Sequence, residues 1–182
     1  MAKKTILILG GARSGKSHFA QELASRLSDK VLFVATGEAL DTEMQARIEE
    51  HRKARPKSWR TLEISTDIGK RIEKQVSDAE VVIIDCLTLL ISNLLKDEPD
   101  YLEAERRVTA EINLLISCIG KLDASFIIVS NEVGMGLVPE NKLGRIYRDL
   151  LGKANQLIAQ QVTDVHLMVA GIPTKVKVGS GL

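Results

Sequence analysis

The chain has 182 residues, 45% of them hydrophobic and 27% charged, which excludes intrinsic disorder and provides for one domain with a full core rather than two. Twenty-five Lys and Arg stand against 24 Asp and Glu, a net charge of +1, and this balance excludes a general nucleic-acid or membrane-surface binder. Aromatic residues make up only 3%, so the core is expected to be built from Val, Ile, Leu and Ala.

After Met1-Ala2-Lys3-Lys4 the first apolar run, Thr5–Leu9, is too short for a signal segment. No later stretch reaches the roughly 18 uninterrupted apolar residues of a membrane span. The expectation is a soluble, cytoplasmic protein. Thr5–Leu9 reads as a strand buried on both faces. It leads into Gly10-Gly11-Ala12-Arg13-Ser14-Gly15-Lys16-Ser17, which matches the phosphate-binding pattern G-x-x-x-x-G-K-[ST]. Each part has a physical purpose. The glycines let successive N–H groups turn into one concavity around phosphate oxygens. The next helix, expected over 18–27, aims its positive end at the same point. Lys16 would reach the β- and γ-phosphates and the Ser17 hydroxyl would ligate Mg²⁺.

A second strand is expected at Val31–Ala35 and a helix over 41–55, stopped before Pro56. Arg47, His51 and Arg55 are spaced four apart, so they share one face of that helix. Flanking guanidiniums disfavour the protonated imidazole, leaving a neutral nucleophile able to attack an α-phosphate and release pyrophosphate. The same arginines could clamp a triphosphate. From spacing alone, an exposed helix with a solvated basic face is the simpler reading. Trp59 is read as a packing residue, and His18 and His166 as structural.

A short strand at Thr61–Ile64 and a helix over 66–77 lead to Val81-Val82-Ile83-Ile84-Asp85, an apolar strand that ends in an acid. Asp85 suits either the cap of the next helix or a carboxylate that holds Mg²⁺ opposite Ser17, and beside a P-loop the metal role is favoured. Helices are expected over 87–95 and 101–120, then a strand at Phe126–Ser130. The loop Asn131–Asn141 comes next, at a strand carboxyl end, where open α/β sheets bind ligands; it fits a ligand contact and a plain turn equally. A helix over 140–161 and strands at Val165–Ala170 and, at a sheet edge, Lys175–Val178 complete the chain. Cys86 and Cys118 have no metal-ligand spacing and read as buried reduced thiols. Strand–helix alternation without repeats or linkers predicts an α/β fold: one P-loop NTPase-like domain over 1–182, with a mainly parallel sheet and helices on both faces.

Two other functions compete on motif grounds. A GTPase-type switch needs a guanine-reading Asn-Lys-x-Asp, and Asn141-Lys142-Leu143-Gly144 lacks the acid, while Asp149-Leu150-Leu151-Gly152 falls inside a helical pattern. A monofunctional P-loop small-molecule kinase would use Lys16, Ser17 and Asp85 equally well, but has no use for His51.

Several segments occur together in order: the P-loop, Asp41-Thr-Glu-Met-x-x-Arg-Ile48, His51-Arg-x-x-Arg-Pro56, Trp59-Arg-Thr-x-Glu63, Asp85-Cys-Leu-Thr88 and Ser130-Asn-Glu-Val-Gly-Met-Gly-Leu-Val-Pro-Glu-Asn141. With them, from the P-loop to Ala170-Gly-Ile-Pro173, the chain resembles the bifunctional adenosylcobinamide kinase / adenosylcobinamide-phosphate guanylyltransferase family of cobalamin biosynthesis. The resemblance implies phosphorylation of adenosylcobinamide by ATP or GTP. Transfer of GMP from GTP through a guanylylated histidine would come second, with Mg²⁺ and in a homotrimer. It overturns the simpler reading of His51 and makes it the nucleophile, with Lys16 as the other catalytic residue. The implied nucleotide contacts are Gly10, Gly11, Ala12, Arg13, Ser14, Gly15, Lys16, Ser17, Thr36, Gly37, Glu38, His51, Arg52, Lys53, Ala54, Glu63 and Asp85. The family often carries Ala-Thr-Ser where this chain has Ala35-Thr36-Gly37, so any side-chain bond from position 37 is lost while its N–H remains.

Overall fold

The computed structural model describes residues 3–38, 42–53, 55–97 and 100–179. In chain order the elements are β1 Thr5–Gly10, α1 Lys16–Leu27, β2 Val31–Ala35, α2 Thr42–Lys53, β3 Arg60–Glu63, α3 Ile68–Gln75, β4 Val81–Asp85, α4 Leu87–Leu94, α5 Tyr101–Lys121, β5 Ser125–Val129, α6 Lys142–Gln161, β6 Asp164–Val169 and β7 Ile172–Lys177. They form one seven-stranded sheet of order β3-β2-β4-β5-β1-β6-β7. Every neighbouring pair is parallel except β6 with β7. The α/β expectation holds, with boundaries moved by one to three residues.

Successive strand side chains point to opposite faces, and the apolar runs therefore feed two cores. Leu7, Leu32, Val34, Val82, Ile84, Phe126 and Ile128 meet α3, α4, α5 and α6 on one face. Ile6, Ile8, Phe33, Ile83, Ile127 and Val129 meet α1 and Trp59 on the other. On that face α1 presents Ala20 and Ala24, both fully buried, and these small side chains let the helix lie close over the central strands. Trp59 packs in this core, as expected of it. The two edge strands differ from the central ones: β3 and β7 are largely exposed. Pro173 sits on the edge strand β7, where a missing N–H costs no ladder bond. No helix among the described residues is long and apolar enough to cross a membrane.

The sheet order has one consequence for chemistry. β5 lies between β1, which leads into the P-loop, and β4, which ends at Asp85. The carboxyl ends of these three strands share one edge, and the loops there enclose the site.

Candidate functional site

β1 runs directly into a loop whose shape is fixed by close approach. A side chain at Gly10 would place its Cβ 2.6 Å from Ser14 Oγ and 2.8 Å from the Met168 carbonyl, so only glycine fits. Arg13 and Gly15 take positive φ, 56° and 91°, which turns the chain back into α1. The turn between β6 and β7 braces the loop from behind: the Gly171 N–H donates to the Ser14 carbonyl at 3.1 Å. No side chain caps the N-terminus of α1 and no acid lies in its first turn. Its first N–H groups are therefore available to an anion. Lys16 is buried and its ammonium donates to the Gly11 carbonyl at 2.6 Å, spanning the loop. Burial lowers the Lys16 pKa, and the neighbouring Cys86 and Asp85 partly oppose that.

Asp85 ends β4 half-buried, and its charge is felt by both Lys16 and Arg55. Thr36, at the end of β2, is fully buried. Its hydroxyl donates to the Cys86 carbonyl at 2.7 Å and accepts the Cys86 N–H at 2.9 Å. Its own N–H donates to the Asp85 carbonyl at 3.2 Å. Asn93 of α4 donates to the Thr36 carbonyl at 2.8 Å and to the Ser65 carbonyl at 3.1 Å. The polar groups of Thr36 are thus spent on clasping β2 to β4 beside Asp85. A Cβ at Gly37 would come 2.9 Å from Leu89 Cδ1 and 3.7 Å from Ile48 Cδ1, so the glycine makes room for α4 and α2. Glu38 pairs with Lys96, and that hydrogen bond holds its carboxyl below the usual range.

The helix carrying His51 is α2, and it ends earlier than expected. The spacing predicts 41–55, but the helix stops at Lys53, Arg55 N–H turns back to the Arg52 carbonyl at 3.4 Å, and the residue before Pro56 leaves the helical path. The shared face of Arg47, His51 and Arg55 is therefore corrected: Arg55 lies past the helix, its guanidinium 3.7 Å over the Phe33 ring. Burial lowers the Arg55 pKa, opposed first by Asp85. Arg52 pairs with Glu63 at the end of β3, and Lys53 is exposed. Ala54 and the side chains of Arg47 and His51 lie outside the described residues.

At the end of β5 a polar net anchors the backbone. Ser130 N–H donates to the Ile8 carbonyl at 2.9 Å and Glu132 N–H to the Gly10 carbonyl at 3.0 Å. Asn131 N–H donates to Thr88 Oγ1 at 2.9 Å, and Asn155 Nδ2 to the Asn131 carbonyl at 3.1 Å. Both cysteines are free, and burial pushes each thiol up to about 11. His166 is buried edge-on to the Phe19 ring, whereas His18 is exposed beside Glu22. Sequence reasoning missed Asn93, Phe33, Thr88 and Asn155. The one available signal was a polar Asn93 inside the apolar run Leu87–Leu94.

Among the described residues no group of three or more His, Cys, Asp or Glu is placed to hold a metal ion by itself. The arrangement is that of a phosphate cradle with a lysine inside it, an acid on the next strand but one, and the helix that ends in Arg52 and Lys53 at the same edge.

Comparison with known proteins agrees with this geometry. The family described as "Cobinamide kinase / cobinamide phosphate guanyltransferase" matches residues 6–176. The "Bifunctional adenosylcobalamin biosynthesis protein CobU" of Escherichia coli (strain K12) is 43% identical over 180 residues, covering 94% of this chain and 99% of that protein. The protein of the same description from Salmonella typhimurium is 40% identical over 180 residues, again covering 94% and 99%. The "Bifunctional adenosylcobalamin biosynthesis protein CobP" of Pseudomonas aeruginosa is 42% identical over 172 residues, covering 94% and 96%. A solved structure from Pyrococcus horikoshii OT3 shares the fold, with a TM-score of 0.56 at 12% identity over 96% of this chain and 86% of that one.

Proposed function

Because the chain belongs to the cobinamide kinase / cobinamide phosphate guanyltransferase family, we propose that it phosphorylates the aminopropanol hydroxyl of adenosylcobinamide and then transfers GMP from GTP to that phosphate, giving adenosylcobinamide-GDP. The observation that carries this reading is the cradle Gly10–Ser17, with its uncapped helix N-terminus and buried Lys16, on the same sheet edge as Asp85.

The cradle binds the phosphates of ATP or GTP through its N–H groups, and Lys16 leaves the Gly11 carbonyl to bind the outer phosphates. In the transfer step a His51 ring nitrogen attacks the α-phosphorus of GTP. A P–N bond forms and pyrophosphate leaves. An oxygen of adenosylcobinamide phosphate then attacks the same phosphorus, the P–N bond breaks, and free His51 returns. Gly37, Glu38, Arg52, Lys53, Ala54 and Glu63 contact the nucleotide, and Thr36 fixes the chain that leads into Gly37 and Glu38. A hydroxyl, a carboxylate and phosphate oxygens form the all-oxygen set that Mg²⁺ prefers, and Ser17 with Asp85 fits it. The ion, when bound, neutralises phosphate charge. The protein works in the cytoplasm as a homotrimer.

The test is covalent labelling. GTP labelled at the α-phosphate should leave acid-labile, alkali-stable label on the wild-type protein and none on His51→Ala. Label persisting in that variant would remove His51 from its role. A wild type that binds GTP and takes no label would instead be a monofunctional kinase.

A further inference from the structure

The kinase half-reaction has an unassigned requirement. The acceptor is an alcohol, a poor nucleophile, and a positioned group must take its proton as the new P–O bond forms. We propose that Glu132 is that group; the inference rests on the two-step function proposed above and adds the proton acceptor of its first step.

Four observations converge on this residue. First, β5 is the strand between the P-loop strand β1 and the Asp85 strand β4, so the segment leaving its carboxyl end projects between the phosphate cradle and the acid that faces it. Second, Glu132 is held at the mouth of the cradle, its N–H on the Gly10 carbonyl at 3.0 Å. Third, its neighbour Asn131 is clamped on both backbone groups, by Thr88 at 2.9 Å and Asn155 at 3.1 Å. That is a buried polar investment in holding one segment still, and such second-tier support is what a reacting group needs to stay within a fraction of an ångström of its geometry.

The fourth observation is elimination among the nearby carboxylates of the described residues. Glu38 is paired with Lys96 and Glu63 with Arg52. Asp85 sits in the field of Lys16 and Arg55 and suits the metal role. The Glu132 side chain is half-buried and, among the described residues, accepts only the nearby Gly134 N–H, at 2.7 Å, a bond that a donating hydroxyl can replace.

The balance of the step is simple. The acceptor oxygen bonds to the γ-phosphorus, the bond from that phosphorus to the β,γ-bridging oxygen breaks, and the nucleoside diphosphate departs. The hydroxyl proton passes to a Glu132 carboxylate oxygen and from there to water.

The two half-reactions separate the prediction from its alternatives. Self-guanylylation of the enzyme by GTP needs no acceptor hydroxyl and therefore no such base. In Glu132→Gln, turnover of adenosylcobinamide with ATP should fall by about 10²–10⁴-fold in kcat. The KM for ATP and the yield of covalent guanylyl-enzyme should stay within about threefold of wild type. Glu132→Asp, which keeps a carboxylate on a shorter stem, should recover part of the lost kcat. Kinase turnover retained in Glu132→Gln overturns the assignment. So does a parallel fall of both half-reactions, which would mark a structural role. A wild type that forms no phosphorylated product speaks against the proposed function itself, so the two failures are distinguishable.

Discussion

A hydroxyl in a protein interior is tolerated when both its donor and acceptor capacity are used, and Thr36 meets that condition with one partner, the Cys86 backbone. The pair fixes the end of β4 immediately after Asp85, so the acid is aimed by a residue on a neighbouring strand. Thr36→Val keeps the shape and removes the hydroxyl, leaving the Cys86 N–H unsatisfied while its carbonyl keeps the Leu90 N–H, at a cost of about 1–3 kcal/mol. The expected result is a lower urea midpoint with an unchanged m-value, together with weaker turnover in both half-reactions. Thr36→Ser should retain most of both. The P-loop could be read from the sequence because its parts are contiguous and two of its glycines, Gly10 and Gly15, answer to backbone demands within the loop. The Thr36 clasp could not, since its partner lies 50 positions away, and the family resemblance implied only a direct nucleotide contact there.

Among the elements, α3 shows what local pattern misses. Its existence follows from apolar spacing at Ile68 and Ile72, but its start is set by Glu111 of α5, whose carboxylate accepts the N–H groups of Asp67 at 3.1 Å and Ile68 at 2.7 Å. A cap supplied by another helix carries no nearby sequence signature. The two helices can come this close because of Gly69: a Cβ there would lie 2.6 Å from the Leu114 carbonyl oxygen and 2.8 Å from its carbon. Backbone cannot yield as a side-chain tip does. Gly69→Ala should therefore push α3 away from Glu111 despite its better helix propensity, destabilising the domain by about 1–3 kcal/mol as overpacked cores do. Chemical denaturation measures the total. Hydrogen exchange should show the loss concentrated in α3 amides, and a variant as stable as wild type would mean that the helices separate freely. Helix α2 shows the opposite limit: its pattern was legible, yet Pro56 shortened it and sent Arg55 onto Phe33.

At the scale of the molecule, composition predicts one domain with little net charge, and the proposed homotrimer makes a further demand on its surface. A closed ring of three uses a heterologous contact, so each chain needs two different surfaces that fit one another. The large exposed apolar residues on the described chain fall mostly into two such groups. Met135, Leu137 and Val138 stand on the loop after β5, and Val169, Ile172, Val176 and Val178 on the β6–β7 hairpin. Patches of this kind mark contact surfaces. Pro173, Lys175 and Lys177 on β7 discourage plain edge-to-edge strand pairing, which leaves apolar side-chain packing as the mode of association. The hairpin surface is also close to the chemistry, because its turn holds the Ser14 carbonyl through Gly171. Val176→Lys places a charge in the second patch, five residues beyond Gly171 and away from that turn. Light scattering should give three times the 20.0 kDa chain mass for wild type and a single chain for the variant. Leu137→Lys should do the same from the other patch, whereas an isologous contact would be disrupted by one substitution and indifferent to the other.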